Sequence, residues 1–380
     1  MRTGPKPSRA YHGTDPGAKK CPGGITCERV RPAIFDHHTH GRYVAYHPNA
    51  AKNRCDEWIM PNNTQNMSKF TRIRLSLLRW ISSDVGMDET EIDADHRVDW
   101  FRILPFIILH VMCLGVIWVG WSPIAVAVAA ILYFVRMFAI TAFYHRYFSH
   151  KAFKTNRFWQ FVFAVLGNSS SQRGPLWWAA HHRHHHRYTD KEQDAHSPVQ
   201  HGFWWSHMGW LTSRANFHTK MKYVQDWAKF PELRWINRYD TLIPILLAVA
   251  LFVFGRLLEV HAPQLNTNGA QMLIWGFFIS TTVHFHATVT INSLAHMFGR
   301  RRYDTADTSR NNFWLSLITL GEGWHNNHHH YAVSARQGFY WWEIDITYYL
   351  LVLMSRLGIV WDLRPLPEKI LKEGRPAQTP

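Results

Sequence analysis

Apolar residues are concentrated in four runs, 101–121, 123–144, 241–258 and 271–291. A helix of about 20 residues is long enough to cross roughly 30 Å of hydrocarbon. A very short turn separates the first two runs, and the loop 259–270 separates the last two. The pattern predicts an all-α integral membrane protein whose four transmembrane helices form two hairpins.

Basic residues predict the orientation of these spans. Lys and Arg number 14 in residues 145–240 and 10 in residues 292–380, whereas neither hairpin turn contains one. By the positive-inside rule the two large polar segments and both termini are cytoplasmic, and the turns face outward. The apolar stretches 158–167 and 204–211 are too short to span, so we expect interfacial or buried cytosolic helices there.

The remaining segments complete the predicted organisation. Residues 1–66 have no helical or strand period and are interpreted as disordered or as an over-long N-terminal extension. Residues 67–94 are predicted to be an amphipathic pre-membrane segment, residues 95–365 the main domain, and residues 366–380 a polar tail. The four cysteines are too few and too scattered to indicate a disulfide framework.

Composition agrees with a membrane protein that has a basic cytosolic face. Charged residues make up only 18% of the chain and aromatic residues 15%, while the formal net charge is +15. A basic surface next to anionic lipid head groups is favourable. No nucleic-acid-binding motif accompanies the charge, so we expect no nucleic-acid partner.

Histidines form three clusters in the predicted cytosolic segments, and a fourth motif follows the last span. On a helix, residues spaced i, i+3, i+4 share one face, as in the second and third clusters. The five-residue gap of the first cluster separates its rings by about 140° on an ideal helix, so the helix must end or distort there. The clusters are His145 and His150; His182, His185 and His186; His325, His328 and His329; and the motif contains Asn292 and His296.

Nine clustered histidines exceed the four to six ligands of one metal ion and therefore imply two ions, with Asn292 as a group that either holds a water ligand or supports a ligand from behind. Imidazole binds Fe, Zn, Cu and Ni, so the ligand type does not identify the metal. Asp194 and Asp240 are candidates to orient imidazoles or to serve as surface or capping groups, and Arg136 is either functional or snorkelling. Structural roles, or roles in supporting the ligands without binding a metal, are expected for His181, His184, His284, His286 and His330.

These motifs resemble the membrane fatty acyl desaturase family, specifically its delta-9 branch, which is similar to stearoyl-CoA desaturase. The resemblance covers residues 95–365 and rests on HRYFSH, HHRHHH, the segment 202–211, NSLAH, GEGWHNNHH and WWEID, in that order. It implies four spans and a cytosolic helical cap that holds a diiron centre. By this resemblance the nine clustered histidines would ligate the irons and Asn292 would bind one through water.

The resemblance also implies a reaction and its partners. Members use O2 and two electrons to introduce a cis double bond, here expected at the delta-9 position, into a saturated acyl chain. The charged pair that precedes the second box in animal acyl-CoA members is replaced by Ala180 and His181, so acyl-CoA and acyl-lipid substrates both remain open. No fused cytochrome b5 pattern is visible, so we expect a separate electron donor, a ferredoxin or a cytochrome b5-like protein with its reductase.

Two other functions remain open at this point. A fatty acid or alkane hydroxylase on the same diiron scaffold would differ only in the fate of the second hydrogen. A membrane metal transporter would place its histidines at mid-membrane depth.

Overall fold

The computed structural model describes Ser68, residues 77–82 and residues 97–374. The interpretation of residues 1–66 therefore lies outside the described residues, as does most of the segment 67–94, of which residues 77–81 are helical. The end of the predicted polar tail, 375–380, also lies outside them.

Helices dominate the described part of the chain. The main helices are α1 (Leu104–Val119), α2 (Pro123–Ser149), α3 (Arg157–Asn168), α4 (Pro175–Tyr188), α5 (Pro231–Arg238), α6 (Leu242–His261), α7 (Gly269–Met297), α8 (Phe313–Ile318), α9 (His325–His330), α10 (Ile346–Arg356) and α11 (Glu368–Glu373). Shorter helical turns are Pro198–His201, Trp205–Gly209, Trp210–Thr212, Arg214–Asn216, Met221–Tyr223, Gln225–Ala228 and Pro263–Leu265. Strands β1 (Lys154–Thr155) and β2 (Val360–Trp361) pair antiparallel, with Lys154 opposite Trp361.

Three of the described helices, α2, α6 and α7, are long and apolar enough to cross a membrane. The first predicted span, 101–121, was too long, because its helix runs only from Leu104 to Val119. Gly120 ends it with a positive φ of 63°, a conformation that glycine adopts without steric cost. By length and composition the structure therefore supports three of the four expected spans.

Capping residues explain where the spanning helices begin. The Ser122 hydroxyl accepts a hydrogen bond from the backbone N–H of Ala125, and Pro123 occupies the first turn of α2. The Asn268 side chain caps α7 in the same way through the N–H of Gln271. A side-chain hydrogen bond of 2.7 Å between Ser122 and Thr267 joins the two caps, so the ends of the two predicted hairpins lie together.

Helices α6 and α7 approach each other closely at two glycines. A Cβ atom on Gly255 would lie 2.7 Å from the Cβ of Met272, and one on Gly269 would lie 2.8 Å from Cγ of Arg256. Met272 also belongs to a buried cluster with Leu109 and Leu251. The cluster joins α1, α6 and α7 at one level of the helical bundle.

The remaining helices form a second core beside the end of α2. Phe143 of α2 stacks on Phe163 of α3, with ring centroids 3.8 Å apart, and the same core includes Leu176 of α4 and Leu233 of α5. The short stretches predicted as non-spanning helices are α3 and the turns between 205 and 212, as expected. This core fixes the end of α2 against α4, where two of the histidine boxes meet.

The described part of the predicted polar tail contains a short helix that packs on the fold. Its helix α11 follows Leu366, and that residue together with Ile370 and Leu371 packs on the buried rings of Tyr303 and Phe339. The hydroxyl of Tyr303 donates a hydrogen bond of 3.1 Å to the carbonyl of Ile370. The segment therefore covers the side of the fold that carries α9.

Candidate metal centre

The end of α2 brings the two histidines of the first box together. From Ala139 to Ser149 the helix has the wider π form, in which residue i+5 returns close to residue i, and it ends at His150. The N–H of His150 donates to the carbonyl of His145 at 3.3 Å, and the two rings lie 5.0 Å apart. The expected distortion of the helix is therefore present. It brings together the rings of His145 and His150, which would lie about 140° apart on an ideal helix.

Five histidines converge on one point, and we call them the five-histidine cluster. The Nε2 atoms of His145 and His328 lie 3.0 Å apart, and those of His186 and His328 lie 2.9 Å apart. His150 and His182 approach at 2.8 Å. The members are His145, His150, His182, His186 and His328, and one ligand atom from each lies within 4.8 Å of the others.

Four further histidines form a second group, the four-histidine cluster. Its members are His185, His296, His325 and His329, again with one ligand atom each within 4.8 Å of the others. The Nε2 atoms of His296 and His325 lie 3.1 Å apart. The structure thus brings together all nine histidines that the sequence singled out, in two adjacent groups.

The second and third boxes each contribute to both clusters. On α4, His185 and His186 lie on opposite sides of His182 because each residue turns the helix by about 100°. His182 and His186 therefore join the five-histidine cluster, while His185 joins the other. On α9, His328 belongs to the first cluster, and His325 belongs to the second.

Carboxylates hold several of these imidazoles in one orientation. The Nδ1–H of His185 donates to Asp194 at 2.9 Å, and that of His329 donates to Asp307 at 2.8 Å. His145 donates from Nδ1 to Glu322 in the same way. A proton fixed on Nδ1 leaves the Nε2 lone pair free to bind a metal ion.

His296 is oriented through a hydroxyl instead of directly by a carboxylate. Its Nδ1 lies 3.3 Å from the Oγ1 of Thr308, which donates to Asp190 at 2.7 Å. Asp190 itself is 3.7 Å from His296. Contacts with His296, Ser197 and Thr308 hold the pKa of Asp190 below its usual range, although partial burial opposes the shift.

A buried ion network supports His145 from behind. Arg146, which is 1% exposed, donates to Glu322 at 3.0 Å and to Asp345 at 2.9 Å. Gly321 precedes Glu322 with a φ of 126°, and a side chain there would collide with the Asp345 carboxylate. The glycine therefore lets Glu322 reach both the ring and the guanidinium.

The two asparagines of the third box fix the backbone that carries it. Asn326 accepts the N–H groups of Arg302 and Tyr303 at 2.8 and 2.7 Å. Asn327 donates to the carboxylate of Glu343 at 2.8 Å. Both side chains are fully buried and point away from the clusters, so their amides position α9 rather than bind a metal.

The geometry and chemistry of the nine imidazoles fit two metal ions. Ligands at right angles with metal–nitrogen bonds of about 2.1 Å have nitrogens about 3.0 Å apart, close to the observed 2.8–3.1 Å. Nε2 of His329 is buried without a hydrogen-bond partner while its Nδ1 contacts Asp307, as expected of a ring whose Nε2 faces a metal. Burial lowers the pKa of His328 well below its usual value and that of His329 to about 4, so these rings are neutral ligands at pH 7.

A cavity opens from the clusters toward the membrane helices. Its polar end contains histidines of both clusters together with Asn292 and Glu322, and its apolar end lies between α2 and α7. The lining residues are Met137, Ile140, Thr141, His145, Trp178, His182, His185, Thr288, Ile291, Asn292, Thr319, Glu322 and His325. Asn292 therefore lines the same cavity as histidines of both clusters, although it does not itself belong to either cluster.

The histidines set aside by the sequence analysis lie outside both clusters. His181 contacts the carbonyl of His218 at 3.1 Å, and His184 packs on Tyr188. Nδ1 of His284 accepts a hydrogen bond of 3.0 Å from Nε2 of Gln172, and His330 pairs with Glu373. His286 contacts His110 and His207 through its two ring nitrogens, at 3.2 and 3.1 Å, and these three rings form a separate chain.

Asp194, Asp240 and Arg136 have different surroundings. Asp194 contacts an imidazole of the site, whereas Asp240 pairs with Arg173 at 3.3 Å. Arg136 is 1% exposed and donates to Ser280 and Thr281 at 2.6 and 2.7 Å. Its guanidinium is thus held inside the helical bundle by α7 and does not snorkel.

Sequence reasoning missed three supporting carboxylates. Asp190 and Asp194 both follow the second box closely, so the same local signal could have included Asp190. Glu322 lies three residues before His325, within the GEGWH motif. Asp307 lies 22 residues before His329, and nothing in the sequence indicates that contact.

The described site can be compared with known proteins. The family model for fatty acid desaturases matches residues 99–354, about two thirds of the chain. This chain belongs to the fatty acid desaturase family. Its histidine clusters and apolar helices fit the membrane desaturases, which act in lipid metabolism as oxidoreductases.

Curated relatives are similar to this chain over most of their own length. An acyl-CoA 5-desaturase of Anemone leveillei is 35% identical over 301 residues, which cover 77% of this chain and 88% of the relative. An sn-1 stearoyl-lipid 9-desaturase of Anabaena variabilis is 33% identical over 276 residues, which cover 72% and 96%. A delta-9 acyl-lipid desaturase of Arabidopsis thaliana is 35% identical over 271 residues, which cover 70% and 84%.

Proposed function

We propose that this protein is an O2-dependent desaturase that introduces a cis double bond at the delta-9 position of a saturated acyl chain. The acyl chain is carried by CoA or by a membrane lipid. The observation that supports this most is the cavity, because it joins an apolar slot between α2 and α7 to the histidines of both clusters. An alkyl chain in that slot would place a methylene pair beside the metal ions.

Two iron ions are the proposed cofactor, held by the five-histidine and four-histidine clusters. An alkane C–H bond has no accessible pKa, so side-chain acids and bases cannot remove the hydrogens, and the bound irons with O2 supply the oxidising chemistry. The neutral imidazoles of the two clusters would hold these irons without adding negative charge. Glu322, Asp194 and Asp307 hold the rings against displacement by keeping each Nδ1 proton in place.

The protein residues around the cavity position the chain and exclude water. Met137 and Ile140 line one side of the slot, and Ile291 lines the other. Trp178 stacks on His182 with ring centroids 5.1 Å apart, so its indole forms both a cavity wall and a support for a ligand. A dry slot of this kind would protect the oxidant from side reactions while the chain is held.

The electron donor and the membrane topology belong to the same proposal. A separate one-electron carrier, a ferredoxin or a cytochrome b5-like protein, would dock on the basic cytosolic surface. The proposed topology has four spans with the histidine boxes and both termini in the cytoplasm. Helix α1 is shorter than the expected span 101–121. In the proposed topology the turn at residues 101–103 would therefore form part of the first crossing.

The test is fatty acid profiling of a desaturase-deficient host with double-bond localisation by mass spectrometry. The host expresses the wild-type chain, His182→Ala, or the control His184→Ala, whose ring packs on Tyr188 outside the clusters. A new cis-9 monoene with wild type and the control, absent with His182→Ala, is the expected result. Double bonds at position 5 or 7 would correct the regiochemistry, and hydroxy acids would assign the protein to the hydroxylases. No new product, with protein and donor present, would contradict the proposal.

A further inference from the structure

The short helix α8 separates the cavity beside the histidine clusters from the protein surface. Thr319, the residue after α8, is buried and lines the cavity, whereas the preceding Ile318 is 43% exposed. Phe313 is exposed as well, and Trp314 is 74% exposed. Leu315, one turn before Thr319, is buried. Helix α8 therefore has one face toward the cavity and an apolar face toward the outside.

Helix α8 lies where the lipid-facing surface of α2 ends. Phe134 and Val135 of this long apolar helix are exposed, but every residue from Ala139 to Ser149 is buried. Exposed apolar side chains on a helix that crosses a bilayer face the lipid tails. The hydroxyl of Tyr133, next to Phe134, donates a hydrogen bond of 2.5 Å to the carbonyl of Ile318. The outer face of α8 is therefore continuous with the side of α2 that faces lipid.

The surroundings of α8 have the composition of a membrane interface. Ser316 donates to the carbonyl of Ile344 at 3.1 Å, and the exposed Trp341 lies in the loop that leads to Ile344. The exposed Arg300 pairs through its backbone with Asn311, just before α8. Tryptophan is enriched at the level of the lipid head groups, and basic residues are favourable there. These residues place α8 at the boundary between lipid tails and head groups.

We infer that the acyl chain of a membrane lipid enters the cavity sideways from the bilayer, between α2 and α8. This inference rests on the proposed desaturase function and names one of its two substrate classes. A chain on this route passes from Phe134 and Ile318 to Met137 and Ile140 of the cavity wall, so its methylenes contact apolar side chains throughout. The chain of a membrane lipid already lies in the bilayer at this level, whereas that of acyl-CoA must first leave the cytosol.

A hydrogen bond and apolar packing close this entry. The hydrogen bond is the one from Tyr133 to the Ile318 carbonyl. The packing is a buried cluster in which Leu320, directly after α8 and Thr319, contacts Met137 and Ala287. Apolar groups that separate in a bilayer are covered by lipid tails instead of water, so opening the entry toward lipid exposes no apolar surface to water.

The backbone after α8 has the conformation of a hinge. Leu320 and Gly321 both have positive φ, 55° and 126°. Leucine adopts this region at a steric cost that glycine does not have, so the closed connection is strained at Leu320. The next residue, Glu322, is held by Arg146 and His145. A movement of α8 can therefore be absorbed at residues 320 and 321 without displacing the metal ligands.

The first experiment identifies which acyl carrier fills the cavity and requires no turnover. The full wild-type chain, loaded with iron in lipid nanodiscs, is irradiated with phosphatidylcholine or acyl-CoA that carries the same diazirine-labelled stearoyl chain. Mass spectrometry maps the labelled residues. Met137 and Ile140 are 0% and 2% exposed, so bulk lipid does not reach them. We expect phosphatidylcholine to label them several-fold more than acyl-CoA at equal concentration, and equal or greater labelling by acyl-CoA would overturn the inference.

The second experiment locks α8 to α2. In a chain whose four native cysteines are replaced by serine, a cleavable bis-maleimide joins Tyr133→Cys to Ile318→Cys. We expect cavity labelling by phosphatidylcholine and desaturation to fall about 10-fold, and to return when the linker is cleaved, with unchanged iron content. The matched control is the same link between Lys154→Cys and Asp362→Cys, an exposed ion pair of 2.7 Å beside the two-stranded sheet, which should change neither.

The outcomes separate the entry route from the proposed function. Cavity labelling by phosphatidylcholine without any new double bond would keep the route and contradict the desaturase. Desaturation and labelling that continue when α8 is locked would overturn the route and keep the desaturase. When phosphatidylcholine and acyl-CoA carry stearoyl chains with different carbon-13 labels, we expect the double bond on the phospholipid chain. A double bond found first on the acyl-CoA chain would overturn the lipid as substrate.

Discussion

The two histidine clusters are built from similar ligands but are held in place differently. In the four-histidine cluster, His185 and His329 donate directly to carboxylates, and His296 reaches Asp190 through Thr308. In the five-histidine cluster, His145 is the member with a described carboxylate contact, through Glu322. The cluster with four ligands thus has more carboxylate contacts to its imidazoles, and the cluster with five ligands has fewer.

The difference indicates a division of roles between the two proposed metal ions. Four ligands would leave more coordination positions open than five, and His185 and His325 of that cluster line the cavity together with Asn292. An ion with open positions depends strongly on the orientation of each remaining ligand, and carboxylate partners supply that orientation. The five-histidine cluster has one more ring and tolerates looser support for each.

The largest expected effect comes from removing one ligand of each cluster. His328→Ala and His325→Ala should each abolish activity and leave about one iron per chain, because the remaining cluster keeps its own ligands. Iron is counted by plasma mass spectrometry on purified protein. His184→Ala should keep two irons. Loss of both irons in each variant would show that the clusters do not bind independently.

An intermediate effect is expected from removing a carboxylate that contacts an imidazole. Asp307→Asn should weaken iron binding by about 10- to 100-fold at the four-histidine cluster and leave the other cluster unchanged. Competition with a chelator measures both affinities. Asp240→Asn is the control, since this buried carboxylate pairs with Arg173 and lies outside both clusters. Equal weakening in the two variants would argue against the assigned role of Asp307.

The smallest expected effect concerns ring stacking in the five-histidine cluster. Trp178→Leu removes the indole that stacks on His182 and should cost about 0.5–1.5 kcal/mol, or roughly 2- to 10-fold in iron affinity at that cluster. The same chelator competition measures it. A loss larger than that of Asp307→Asn would reverse the comparison, because the five-histidine cluster would then be the one more sensitive to its surroundings.

Local spacing in the sequence was enough to predict that the nine histidines lie together but not how they divide between the two clusters. The i, i+3, i+4 pattern places His182, His185 and His186 on one side of α4, yet which ring joins which cluster depends on how α4 meets α2 and α9. The same limit applies to Asp307, whose contact with His329 requires the turn after α7 to fold back. The chain of His110, His207 and His286 joins three distant segments, so no local pattern could indicate it.

The membrane helices show a related limit. Apolar composition predicted α2, α6 and α7, and α2 begins at Pro123 as expected. Helix α7 begins two residues before the predicted run because Asn268 caps it there, which hydropathy cannot show. Composition overestimated the length of the helix in the first run. Gly120 ends the helix before Trp121, although the apolar residues continue.

The most direct test of the central claim is the anomalous scattering of iron from crystals of the protein. We predict two iron peaks per chain, one surrounded by His145, His150, His182, His186 and His328, and the other by His185, His296, His325 and His329. A single peak shared by both groups, or a peak between His185, Asp194 and His196, which also lie close enough to hold an ion, would contradict the two-iron account.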